Sequence, residues 1–123
     1  MSDIVIDGNT LPDSMDGRGK YEFHPQKIGT IAASRRAVRS GSQVLLWRFT
    51  WLTADEYQWW VTTVLGGAES LEITATIRDN YHRLFSVTSA NLYKPIYRMM
   101  TGNIYYDVDI EIQHILPLRT AAS

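Results

Sequence analysis

The chain has 123 residues, 45% of them hydrophobic, which is enough for one domain with a single core. Zero cysteines exclude disulfides and thiolate metal sites, and a net charge of −1 supplies no field to draw the chain to nucleic acid or an anionic membrane. No apolar run is long enough to span a bilayer, so no membrane insertion is expected. Met1-Ser2-Asp3-Ile4 lacks the basic and apolar regions of a signal peptide, so export by that route is not expected.

In chain order, Ile4 to Asp7 reads as a short strand ended by Gly8-Asn9. Leu11 to Lys20 is polar and Gly-rich, hence a loop. Its Asp16-Gly17-Arg18-Gly19-Lys20 run lacks the spacing and the following Ser or Thr of a phosphate loop, and reads only as a flexible loop. Tyr21 to His24 is a strand stopped by Pro25, and Lys27 to Ser34 is a further strand. Arg35, Arg36 and Arg39 then gather in a basic hairpin tip or loop ending near Ser42.

The aromatic strand Leu45-Leu46-Trp47-Arg48-Phe49-Thr50-Trp51 follows. Alternation puts Leu45, Trp47, Phe49 and Trp51 on one face, and Val44, Leu46, Arg48 and Thr50 on the other. The period then changes to that of a helix at about 54–65. Thr53 with Glu56 three residues later makes a capping box, and Leu52 with Tyr57 can close a hydrophobic staple. Tyr57, Trp60, Val61 and Val64 share a helix face, and Gly66-Gly67 supplies the left-handed stop.

Next comes a hairpin. Leu71, Ile73, Ala75 and Ile77 alternate with polar residues, and Phe85 and Val87 share a face on the returning strand. A three-residue loop, Arg78-Asp79-Asn80, pairs Ile77 with Tyr81, Ile73 with Phe85 and Leu71 with Val87, with Asn80 in the left-handed bulge position. Lys94 to Gly102 is a connection. The last strand, Ile104 to Ile115, carries Ile104, Tyr106, Val108, Ile110 and Ile112 on one face, and Tyr105, Asp107, Asp109, Glu111 and Gln113 on the other. A frayed tail over about 117–123 completes a single domain spanning 1–123. The expected fold is mainly β, an antiparallel sandwich with one short helix.

Little in this pattern suggests catalysis. His24, His82 and His114 are far apart with no ligand spacing, so they read as surface or edge-strand residues. No serine or threonine sits in a nucleophile elbow, and neither an enzyme nor a cofactor is expected. The row Asp107, Asp109 and Glu111 reads as the wet face of an antiparallel strand, which can also line a channel. Arg35, Arg36 and Arg39 form the single basic cluster, a protein-contact loop or a nucleic-acid contact. Trp59 points away from the face set by Tyr57, Trp60 and Val61. Either it is an exposed interface anchor or a broad helix face buries both tryptophans.

The order of these elements, with the phrases "LTADEYQWWVTTVLGG", "LEITATIRDNYHRLFSVTSANLY" and "YYDVDIEIQHI", resembles small tail proteins of long-tailed bacteriophages. It looks most like minor tail protein M of lambdoid phages and the N-terminal domain of distal tail proteins, and its opening "IVIDGNTLP" also looks like the start of distal tail proteins. The resemblance covers about residues 21–115 and rests on element order and phrases, with no invariant motif. It implies the tail-tube fold, a β-sandwich flanked by a helix, and a non-enzymatic virion protein that assembles into rings. A hexamer in the virion tail, made in the host cytoplasm, would contact the tail tube protein and other tail-tip or hub proteins, with DNA passing through its lumen. Distal tail proteins usually carry a second domain; none is expected in these 123 residues, which favours a simpler tail-tip or tail-tube adaptor ring. Arg35, Arg36, Arg39 and Trp59 would then lie at protein interfaces, and Asp107, Asp109 and Glu111 would face the channel. Two readings compete with it: a carbohydrate-binding or adhesion β-sandwich that uses Trp and Tyr to stack on sugars, and a small hydrolase.

Overall fold

Asp7 and Gly8 both take left-handed backbone conformations, with φ of 51° and 83°, so the chain reverses in two residues. That turn joins β1 (Val5–Ile6) to β2 (Asn9–Thr10), a strand the sequence does not announce. The computed structural model describes residues 2–30, 37–79 and 81–117, and the side chains of 2–23, 43–79 and 81–117. The remaining strands are β3 (Lys20–Thr30), β4 (Ala37–Thr53), β5 (Ser70–Arg78), β6 (Leu84–Tyr93), β7 (Met99–Thr101) and β8 (Ile104–Leu116).

The protein is mainly β, antiparallel throughout, with one short helix. All eight strands belong to one sheet in the order β2-β1-β5-β6-β8-β4-β3, with β7 pairing the N-terminal end of β8. The expected sandwich is thus made by curling one sheet into a half-barrel. The curl brings the β3 edge round to the β5–β6 hairpin: Phe23 meets Phe85 edge-on at 5.5 Å, and Tyr21 meets His82 at 5.6 Å. The concave side holds one continuous core that includes Ile6, Trp47, Phe49, Trp60, Ile73, Ile77, Val108 and Ile110.

Pro25 does not stop β3, contrary to expectation. The strand runs through it with a register shift between His24 and Lys27. β3 ends the strand order, so on its outer side a missing N–H breaks no ladder. The loop from Leu11 to Lys20 is also more than a flexible connection. Leu11 and Met15 are buried in the core and pin it down.

Thr53 and Glu56 form the capping box as read, with Glu56 N–H donating to Thr53 Oγ1 at 3.2 Å and Thr53 N–H to Glu56 Oε1 at 2.9 Å. The α-helical part, α1, is only Ala54–Gln58, and Trp59–Val64 continue as a π-helical turn. Gly67 N–H closes the turn on the Val61 carbonyl, with φ at Gly66 and Gly67 of 60° and 85°.

Two pairing expectations change. In β4 the set that enters the core is Leu45, Trp47 and Phe49, then Leu52, while Trp51 is 41% exposed. On β8 the core-facing set likewise passes from Val108 to Tyr105 rather than Tyr106. Asp107, at a left-handed φ of 54°, sits where the facing of both strands changes by one residue while their register, Phe49 with Val108 and Trp51 with Tyr106, stays unbroken. In the hairpin, Ile77 pairs with Phe85 and Ile73 with Ala90, so the loop is longer than the three residues expected. The buried Asp79 carboxylate explains the longer loop: its Oδ1 accepts from the N–H groups of Tyr81 (2.8 Å) and Arg83 (3.0 Å). Asn80 lies outside the described residues, and His82 carries a left-handed φ of 62°.

Candidate functional site

Of the basic cluster, Arg35 and Arg36 lie outside the described residues. Arg39 falls within the backbone of β4 rather than a loop, and its side chain lies outside the described ones. Trp59 is half-buried, packed against the core and edge-on to Trp60 at 4.9 Å between ring centres. It therefore fits neither sequence reading fully.

The acidic row is graded, not uniformly wet. Asp107 is exposed and ion-paired to Arg98 across to the β7 side, at 2.5 Å. Asp109 lies 3.6 Å from Arg48, which also pairs with Glu22 at 2.9 Å, so a charge ladder crosses β3, β4 and β8. Burial pushes the Asp109 carboxyl above its usual range, and the nearby Arg48 charge opposes the shift. Glu111 is 1% exposed, and the Gln113 amide donates to its Oε2 at 3.0 Å. The expectation of a solvated Asp107–Asp109–Glu111 face therefore fails at Glu111. The signal was present in the sequence: Val44 and Leu46, on the matching outer face of β4, are apolar, and both are buried. Leu46 is the cross-strand partner of Glu111.

Composition and spacing did not flag a concave feature beside the helix. A groove of about 480 Å³ lies between the helix and the segment leaving β6, lined by Tyr57, Gln58, Val61, Lys94, Pro95, Ile96, Tyr97 and Tyr105. Tyr57 and Tyr105 stack face to face at 4.0 Å, and Tyr97 stands edge-on to both, at 5.5 and 4.8 Å. The Tyr57 hydroxyl donates to the Pro95 carbonyl at 3.2 Å and so ties the helix to the far wall. Burial raises the Tyr57 phenol to about 12, so it stays protonated and keeps that bond at ordinary pH. The π-helical turn matters here, because Gln58 and Val61 line the groove at its start. The only sequence signal for this group was three tyrosines at unrelated spacings, which topology alone brings together.

Among the described residues no group of three or more His, Asp or Glu side chains is placed to hold a metal ion. Nor is any helix there long and apolar enough to cross a membrane. No family model matches the sequence, and no curated protein or solved structure matches it significantly.

Proposed function

We propose that the chain is a structural protein of a long-tailed phage virion. In this reading it is a ring-forming tail-tip subunit that joins the tail tube to the host-facing end and continues the DNA channel. The observation that carries this reading is the curled antiparallel sheet with one capped helix inserted between the aromatic strand β4 and the β5–β6 hairpin. That is the element order whose sequence phrases resemble tail proteins. The curled sheet also leaves β3, eleven residues long, as an edge paired on one side only among the described residues. A long free edge is an aggregation liability, and a closed ring removes it by covering each edge with a neighbour.

Aromatic placement favours this reading over a carbohydrate-binding module. Sugar stacking needs open ring faces. Trp47 and Trp60 are buried, the Arg18 guanidinium lies 4.1 Å over the Trp51 ring, and Tyr57 and Tyr105 cover each other. The acidic row lends less weight to a repulsive channel wall than its sequence implies, since Arg98 and Arg48 lie against Asp107 and Asp109. The test is a reconstruction of tails carrying a C-terminal label on this chain. The expected result is a closed ring of copies, six in number, around the tail axis. A single axial copy, or its absence from the particle, refutes the proposal.

A further inference from the structure

We propose that Tyr97 and Tyr105 form an oxidative modification site, where a diffusible one-electron oxidant joins the two rings as a dityrosine cross-link within one chain. The inference does not depend on the tail reading. The rings come from different elements, Tyr97 from the connection after β6 and Tyr105 from β8. Their centres lie 4.8 Å apart at an interplanar angle of 85°. That contact turns the edge of one phenol to the face of the other and brings their ring carbons together. Tyr97 is 42% exposed, so the oxidant can reach it. Tyr105 is half-buried, packed against the core and backed by the Tyr57 ring at 4.0 Å. One partner is open to the oxidant and the other is held in place.

The chemistry balances within the pair. Each phenol gives one electron to the oxidant and its hydroxyl proton to water. The phenoxyl radicals carry spin on the ring carbons next to the one that bears oxygen. One such carbon from each ring forms the new bond, and the hydrogens they carried move to the oxygens as the rings regain aromaticity. The product is two phenols joined carbon to carbon, two hydrogens lighter, with two equivalents of oxidant reduced. Tyr57 stays out of this reaction. It is 5% exposed, and its hydroxyl donates at 3.2 Å to the Pro95 carbonyl, too weak a base to take the proton. The chain has no cysteine, so no thiol intercepts the oxidant and no disulfide can fasten this connection. The new bond fastens the segment that walls the groove to β8.

The test exposes the whole chain, in dilute solution, to a photogenerated ruthenium(III) complex with persulfate as the final electron acceptor. The expected product is a monomer two hydrogens lighter that shows dityrosine fluorescence. After trypsin the cross-link should join the peptides Leu84–Arg98 and Met99–Arg119, with fragmentation placing the bond at Tyr97 and Tyr105. Tyr97→Phe, an exposed change that keeps the ring, should abolish this product, as should Tyr105→Phe. Tyr57→Phe keeps the stacked ring and should leave the yield unchanged. A product found only as chain-to-chain dimers through Tyr81, which is 62% exposed, overturns the proposal. So does a bond that survives Tyr97→Phe and is lost in Tyr57→Phe, which would lie between the stacked rings. A chain whose only change is oxygen added to Met99 and Met100 overturns it as well.

Discussion

Among the glycines whose surroundings are described, Gly19 is the one where an added methyl group meets neighbouring atoms. Its φ is +83°, and a Cβ there would lie 2.6 Å from the Trp47 indole nitrogen and 2.8 Å from the Arg48 carbonyl oxygen. The close approach exists because Trp47 Nε1 donates to the Arg18 carbonyl at 3.1 Å, which binds the loop to the core aromatic. Gly19→Ala should therefore lose at least about 2 kcal/mol, read from a denaturant melt, through the left-handed backbone and the displaced indole together. The neighbouring Arg18 closes the same knot, with Nη1 2.8 Å from Glu56 Oε2 and Nη2 donating to the Trp51 carbonyl. Burial alone would raise the Glu56 carboxyl. Hydrogen bonds from the Thr53 backbone, Ser14 and Arg18, with the Arg18 charge, outweigh it and hold it below its usual range. A depressed carboxylate adds stability above its unfolded pKa of roughly 4.3, and that stability disappears as pH falls through the lower folded value. Melts of Glu56→Gln across pH 2–7 should start lower at neutral pH and fall less steeply in acid. Asp109, raised by burial, has the opposite sign: its penalty applies above the folded pKa and is relieved as pH falls through it. Asp109→Asn should therefore steepen the acid loss.

At the scale of the element, local signals carried far and long-range ones did not. The capping box at Thr53 and Glu56 forms as read because its partners are three residues apart and need nothing from the rest of the chain. Thr53→Ala should accordingly cost about 1 kcal/mol in the same melt. The alternation of Ile73, Ala75 and Ile77 survives as well. What alternation cannot reveal is where a strand slips. The β4–β8 pair changes parity at Asp107, and β5–β6 shifts register between Ile73 and Ala75. Both depend on partners fixed by the curl of the sheet. The hairpin loop was misread because register was chosen on apolar pairing alone. Moving the partner by four residues keeps the same faces together near the turn, so hydrophobic pattern cannot separate the two loops. Asp79 separates them, by capping the N–H groups of Tyr81 and Arg83 from a fully buried position. Asp79→Ala should cost about 2 kcal/mol and raise amide exchange at Tyr81 and Arg83, as hydrogen-exchange NMR would detect. The tyrosine groove was illegible for the same reason, since Tyr57, Tyr97 and Tyr105 meet only after helix, connection and β8 have packed.

For the whole molecule, the graded burial of the acidic row turns one hypothesis about the channel into two separable experiments. Glu111 and Asp107 share a predicted face, yet the first is 1% exposed while the second has a side chain 52% exposed. Glu111→Lys would force a charge into the space between Leu46 and Gln113, and should destabilise the free chain by about 3 kcal/mol or more. Any assembly defect in that variant would report folding and say nothing of the channel. Asp107→Lys is the cleaner probe. It gives up an exposed pair with Arg98, worth little in water, and adds about 1 kcal/mol of backbone strain at φ 54°. Its melt should therefore change only slightly. If the β8 face lines the lumen of a ring, each copy converts a neutralised pair into two adjacent cations, and the ring repeats that collar around the passing DNA. Genome ejection from particles built with Asp107→Lys should then be slowed, most strongly at low ionic strength, where the Debye length is longest. Ejection at the parental rate in low salt, from particles with normal tails, would place Asp107 away from the lumen and leave the ring itself standing.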